Sequence, residues 1–205
     1  MASLISQALV LRTYMPYSQK VSLLISGKGR IDAVVPRAIA ERLSNGALVQ
    51  CMVRTWGSTQ SVSQVELLEV PFHWGVAHLP FLHHVLELCY YFLPLNQESD
   101  DIVDLVQLLY TMPELFKETG AQKIFLSKFF QKIGLYPFDR ASYDARFLRL
   151  ILGPNDSSVE GSLSEKLAGN GYKQLKRWLL GCISAHPYGY RLKTIDFLKK
   201  LDVHE

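Results

Sequence analysis

The chain has 205 residues, 48% of them apolar and 20% charged, and a formal net charge of +3. That is ordinary for a water-soluble protein of one large or two small domains, and a charge so small does not by itself announce nucleic acid. Cys51, Cys89 and Cys182 are too few and too scattered for a disulfide framework or a thiolate metal site, no apolar run reaches membrane-spanning length, and the opening Met-Ala-Ser-Leu-Ile-Ser-Gln lacks the pattern of an export signal, so a cytoplasmic protein without membrane contact is expected.

In chain order, residues 8–12 read as a first strand and residues 20–25 as a second. Gly27-Lys28-Gly29 then supplies a tight turn, because glycine reaches positive φ cheaply. In the run that follows, Ile31, Ala33 and Val35 share one face and Arg30 and Asp32 the other, as a strand with one wet face requires, and Pro36 ends it. Residues 39–43 suit a helical turn and Ser44-Asn45-Gly46 a bend. Residues 48–56 alternate, with Val49, Cys51 and Val53 opposite Gln50, Met52 and Arg54; Gly57-Ser58 turns the chain back into a last strand over 62–70. Five short strands with one helical turn after the third are the complement of a small OB-type barrel occupying residues 1–72, although strand number alone leaves an SH3-like barrel open.

From residue 73 the pattern changes to helical spacing. Pro80 suits a first helical turn, with Leu82, Val85, Leu86, Cys89, Tyr90 and Leu93 on the inner side. Asp100, Asp101 and Asp104 open a second helix, where its dipole favours acids. A third helix over 121–133 is closed by Gly134 with Pro137 beyond it. Further helices are expected over 142–152, 172–185 and 192–201, with a loop at 153–158 and a weak turn at 162–167. The expected class is therefore α+β: an N-terminal five-stranded OB-fold barrel followed by an all-helical C-terminal domain over 73–205.

The order of these segments resembles the RecO family of recombination mediators. The resemblance is carried by the Gly27-Lys28-Gly29 hairpin with Ile31-Asp32-Ala33-Val34-Val35 after it, by Glu66-Leu67-Leu68-Glu69 followed by the helix Leu86-Glu87-Leu88-Cys89-Tyr90-Tyr91-Phe92-Leu93-Pro94, by Phe129-Phe130-Gln131-Lys132-Ile133-Gly134-Leu135-Tyr136-Pro137, and by Leu175-Lys176-Arg177-Trp178-Leu179 and Arg191-Leu192-Lys193-Thr194-Ile195-Asp196-Phe197-Leu198. It touches both halves of the chain. Many relatives open a four-cysteine zinc knuckle after the Gly-x-x-Pro motif, but here no cysteine stands between Arg140 and Gly181, so the knuckle is absent. The resemblance implies a non-enzymatic mediator of recombination and DNA repair. It would bind single- and double-stranded DNA, anneal complementary strands, and load the recombinase together with RecR and the single-stranded DNA-binding protein, without cofactor or metal. A protein adaptor of the same fold, docking RecR or the single-stranded DNA-binding protein without touching DNA, is the alternative.

Charge distribution points the same way. Residues 1–80 carry seven basic and four acidic side chains, whereas the remainder is balanced at fifteen each. On an OB barrel the candidates for phosphate contact are Arg12, Lys20, Lys28, Arg30, Arg37, Arg42 and Arg54, with Trp56 as a stacking platform. Any one of these cations is equally accounted for as a solubilising charge. In the C-terminal segment Lys173, Lys176, Arg177, Arg191 and Lys193 could surround an apolar groove beside Trp178 and Leu179; such a groove suits the acidic, hydrophobic-ended tail of single-stranded DNA-binding protein. His73, His78, His83 and His84 crowd together but have no complementary carboxylate or thiol at ligand spacing, so no metal site is expected. Neither a Gly-x-Ser-x-Gly elbow nor a Walker loop is present, and enzymatic activity is not expected.

Overall fold

The computed structural model describes residues 4–71, 75–139, 143–145, 147, 148 and 170–200. The chain divides into two compact units, Met1–Thr111 and Met112–Glu205. The expected loop at 153–158, the turn at 162–167, most of the helix expected over 142–152 and His73 lie outside the described residues.

In the first unit, strands β1 (Leu4–Thr13), β2 (Lys20–Ile25), β3 (Gly29–Val34), β4 (Leu48–Trp56) and β5 (Thr59–Glu69) close a barrel in the order β1-β2-β3-β5-β4. All neighbours are antiparallel except β3 and β5, which meet in parallel through Ala33–Gln60 and Val34–Ser61. This is a five-stranded OB barrel, with a short helix α1 (Arg37–Ala40) between β3 and β4. The alternation read from the sequence is the one that forms: Ile31, Ala33 and Val35 from the third strand and its exit join Val49, Cys51 and Val53 from the fourth in the barrel core. Ala40 of α1 packs into the same core.

Over Ala8–Leu11 of β1 and Leu23–Ile25 of β2 the strands are apolar on both faces, and both faces are covered. Val10, Leu23 and Ile25 point into the barrel, while Leu9, Leu11 and Leu24 are buried on its outside. Strands buried on both sides lose the wet-and-dry alternation and read as continuous apolar runs. The cover comes from α2 (Gly75–Phe92) and α3 (Asp100–Thr111), which belong to the same compact unit as the barrel. A shallow cleft between the barrel and α3 is lined by Leu9, Leu24, Leu48, Val103, Val106 and Tyr110, and the Tyr110 hydroxyl donates to the Gly46 carbonyl at 2.7 Å. The change of character at residue 73 thus marks the end of the strands and not the end of the compact unit. A second correction concerns Pro80: α2 begins at Gly75, so the proline lies inside the helix, with its ring exposed.

α2 has little amphipathic character because it is buried on most sides: Phe81, Leu82, Val85, Leu86, Leu88 and Cys89 are all inside. His84 is fully buried among them, and burial, which disfavours the imidazolium, lowers its pKa from 6.5 to about 3.

The second unit is helical where it is described. A 3₁₀ turn at Pro113–Lys117 leads into α4 (Thr119–Lys132), followed by α5 (Asn170–Ala185), a 3₁₀ turn at Gly189–Arg191 and α6 (Ile195–Lys200). Gly134, at φ +70°, ends α4 as expected. Its amide bonds the Gln131 carbonyl, and the Leu135 amide reaches back to the Phe130 carbonyl at 2.9 Å, the left-handed close that glycine makes possible. An aromatic core of Phe116, Phe125, Phe129, Phe130 and Trp178 holds this unit together, with Phe130 and Trp178 edge to face at 6.4 Å.

Two outcomes are expected. Gly27 and Gly29 both have positive φ, +72° and +67°, but a Cβ at Gly27 would meet open space whereas one at Gly29 would lie 1.7 Å from the Gln97 carbonyl oxygen. Gly27→Ala should therefore cost only the left-handed strain of about 1 kcal/mol, and Gly29→Ala clearly more, in urea unfolding. His84 takes up a proton near pH 6.5 when unfolded but only near pH 3 when folded. Its contribution is complete above the unfolded value and is lost as pH falls toward the folded one. Between about pH 7.5 and 5 the wild type should lose about 2 kcal/mol through this group, and His84→Leu should flatten the unfolding free energy against pH by that amount.

Candidate nucleic-acid interface

The seven barrel cations do not share one face. Strand registers place Lys20 opposite Val34, Val34 opposite Ser61, and Ser61 opposite Arg54. Lys20 and Arg54 therefore stand on one outward row that crosses four strands, three ladder steps or roughly 14 Å apart. Both are exposed, and Val34 between them is also exposed. Trp56 lies two residues beyond Arg54 on the same side of β4, at the turn into β5, and is 57% exposed. Tyr17, in the loop that leads from β1 into Lys20, is 96% exposed. This rim is lined by two cations and two aromatic side chains with small residues between them.

Acids lie elsewhere on the open side of the barrel. Glu66 faces Gln50, and Glu69 faces Leu48, toward the opposite end of β4 from Arg54 and Trp56. The outward positions in between are uncharged: Ile5 pairs with Met52, and Met52 with Ser63.

Arg30 and Arg12 occupy a different place, the seam between the barrel and α2. Arg30 donates to the carbonyls of Tyr90 and Leu93, the latter at 3.1 Å, and its guanidinium lies 4.5 Å from the centre of the Tyr90 ring. A cation on the last carbonyls of a helix satisfies acceptors that have no partner within the helix and complements its dipole. Arg12 lies 5.0 Å from the same ring and 5.2 Å from that of Tyr14. Burial acts to lower the Arg12 pKa, but a hydrogen bond with the Tyr91 side chain and the surrounding tyrosines outweigh it, so the shift is upward and the group stays charged. Tyr14 and Tyr90 share a 2.7 Å hydroxyl hydrogen bond, and Tyr14 also meets Ser22, which donates to Asp32. Tyr90 is kept protonated by burial and by the Tyr14 hydrogen bond, with Arg12 and Arg30 opposing.

Lys28 is half-buried at the tip of the β2–β3 hairpin, the far end of that hairpin from Lys20. The tip is docked on α3: the Gly27 amide donates to the Asp100 carboxylate at 2.6 Å and Ser26 to the same oxygen at 3.2 Å. Arg37 pairs with Glu41 at 2.9 Å on the exposed side of α1, and Arg42 is exposed just after that helix.

The C-terminal set also separates. Lys173 and Arg177 are exposed one turn apart on α5, Lys176 is half-buried, and the Arg177 guanidinium lies 5.7 Å from the Tyr143 ring. Arg191 and Lys193 are exposed on and after the 3₁₀ turn that rests on Ile183, about 15 Å along α5 from Lys173. Trp178 and Leu179 are in the core, 1% and 0% exposed, so the apolar floor expected between these cations is inside the protein.

Sequence reading did not single out Tyr17. The signal present was an aromatic residue within Met15-Pro16-Tyr17-Ser18, turn composition between two strands, which leaves a large ring no core to enter. Among the described residues, no three His, Cys, Asp or Glu side chains are grouped to hold a metal ion, and no helix is long and apolar enough to cross a membrane. No family model and no curated protein matches the chain.

Placing Arg30 at the seam changes what its removal should do. Arg30→Ala should lower unfolding stability by about 2 kcal/mol, the scale of hydrogen bonds from a charged donor, and loosen α2 from the barrel in hydrogen exchange. Lys20→Ala, on the open rim, should leave stability unchanged in the same measurements.

Proposed function

We propose that the chain is a non-enzymatic DNA-binding protein of the RecO type that holds a single strand across the barrel rim marked by Lys20, Arg54, Trp56 and Tyr17. The observation that carries this reading is the row Lys20–Val34–Ser61–Arg54 with Trp56 beside it. Cations spaced along a sheet pair with successive phosphates and release counterions, while exposed rings accept bases by stacking without regard to sequence. In OB folds this work falls to the strand 2–3 face and the loops joining strands 1–2 and 4–5, the loops that here carry Tyr17 and border Trp56.

The surface is narrower than composition suggested, because Arg12 and Arg30 serve the barrel–helix seam. A mediator that anneals strands needs a single strand held by its backbone with the bases left reversible, and a short rim of stacking rings and phosphate contacts provides that. Annealing, assistance in recombinase loading, and partnership with RecR and the single-stranded DNA-binding protein in DNA repair complete the proposal, and they follow from the sequence resemblance. The withdrawal of Arg12 and Arg30 from the open face is the observation favouring the adaptor alternative, in which the same fold docks those partners without DNA.

Fluorescence anisotropy with a labelled oligothymidylate separates the two. Wild type should bind with an affinity that falls with salt, at a log–log slope of roughly −0.7 per phosphate neutralised. Lys20→Glu/Arg54→Glu should abolish most of that slope, and Trp56→Ala should weaken binding by about 1–3 kcal/mol. Full retention of affinity in the charge reversal would refute the rim, and pull-down of RecR by a wild type that retains no DNA would establish the adaptor.

A further inference from the structure

The second unit carries an aromatic cluster that the barrel does not explain. Tyr188 and Tyr190 are 46% and 78% exposed on either side of Gly189, and Arg191 lies 5.2 Å and 5.5 Å from their ring centres. The Arg191 Nε also donates to the Tyr190 hydroxyl at 3.0 Å. One cation thereby fixes two neighbouring rings, and Lys193 is exposed two residues on.

The turn is rigidly seated. Gly189 is buried, and a Cβ there would lie 2.0 Å from the Ile183 carbonyl oxygen, so the backbone of the turn rests directly on the end of α5. Leu192 is buried immediately after it. The Tyr188 amide donates to His186 Nδ1 at 3.2 Å, and the His186 ring lies 5.7 Å from that of Tyr188. Large rings so exposed contribute nothing to the core, and fixing them beforehand removes the ordering cost that a ligand would otherwise meet.

We infer that the Tyr188–Tyr190–Arg191 turn is a second contact for single-stranded nucleic acid, in which bases stack on the two tyrosines while Arg191 and Lys193 supply positive charge for the backbone. An acidic, hydrophobic-ended peptide fits less well, because its end needs an apolar pocket and the side chains that would have lined one, Trp178 and Leu179, are in the core. Flat, exposed rings beside cations are instead what a base and its phosphate require. The inference rests on the reading of the chain as a single-strand binder.

It is tested on the full chain by photocrosslinking an iodouracil-substituted oligothymidylate and mapping the attached peptides, alongside anisotropy of the unsubstituted oligonucleotide. Crosslinks to Tyr188 or Tyr190 are expected. Tyr188→Leu/Tyr190→Leu should weaken binding about tenfold, on the scale of base stacking, and Tyr188→Phe/Tyr190→Phe should retain wild-type affinity because the rings remain. Crosslinks confined to the barrel rim, with the leucine variant binding as wild type, would overturn this contact and leave the rim intact. Absence of both crosslinks and binding would overturn both. Capture of an acidic peptide at this turn with no crosslink there would assign it to a peptide instead. Should the leucine variant fail to fold by circular dichroism, the crosslink map of the wild type decides the matter alone.

Discussion

Arg30 is the point on which the first unit turns. It lies on the third strand, yet its guanidinium closes the C-terminal end of α2 by bonding the Tyr90 and Leu93 carbonyls. Beside it the chain makes a close backbone contact: Gly29 has no room for a Cβ against the Gln97 carbonyl, and the Asn96 amide donates to the Arg30 carbonyl at 2.8 Å. The segment after α2 therefore runs beside the third strand, with a short parallel bridge between Leu95 and Arg30. Asp100 then meets the hairpin tip from the start of α3. Once these contacts form, the orientation of both helices on the barrel is fixed, and so is the part of the barrel left open to solvent.

That partition explains which cations remain on the surface. α2 and α3 cover the outer sides of β1 and β2, where Leu9, Leu11 and Leu24 need cover, and the adjoining outward positions Ser22, Arg30 and Asp32 fall at the edge of that cover. Ser22 bonds Asp32 and Arg30 Nη1 bonds the helix carbonyls, which offsets the cost of taking these groups from water, while the buried Arg30 Nε has no hydrogen-bond partner. Beyond Leu48, which meets α3, the outward residues of β4, most of those on β5 and the end of β3 face solvent, so Arg54, Trp56 and Val34 stay exposed. A helix that stabilises the barrel by burying apolar area also decides where a polyanion could lie.

The barrel itself was legible in the sequence because its signals are local. Period-two alternation in β3 and β4, glycines at the turns, and the position of α1 each depend on a few neighbouring residues. Gly134 was legible as a helix stop for the same reason. What could not be read was the partner of each cation. Arg30 and Arg54 look alike in sequence, both outward on alternating strands; they differ because one meets backbone carbonyls, which every residue has and no residue type announces. Trp178 misled for a related reason: at helical spacing beside Lys176 and Arg177 it is equally a groove wall or a core ring, and Phe130, distant in sequence, decides in favour of the core. Pro80 reads as a helix start by its usual position, but the turn before it is helical too, so α2 gives up one backbone donor there and is held by the buried residues that follow.

The rim has a polarity that follows from the same ladder. Lys20 and Arg54 share one row, the next outward positions on β1 and β4 are Ile5 and Met52, and the following row holds Gln7, Gln50 and Glu66. Positive, then apolar, then neutral and acidic positions succeed one another within three alternate rows, about 14 Å along the strands. A polyanion is attracted to the first row and repelled from the last, so it is held across the strands at the rim and not lengthwise down the barrel. On the proposed reading, bases of a strand on that row would project either toward Trp56 at the turn or toward Met52 and Ile5 on the sheet, both of them surfaces on which a flat ring can rest. On that reading, the order of charges along these strands would therefore set the direction in which a single strand crosses the fold as well as attract it.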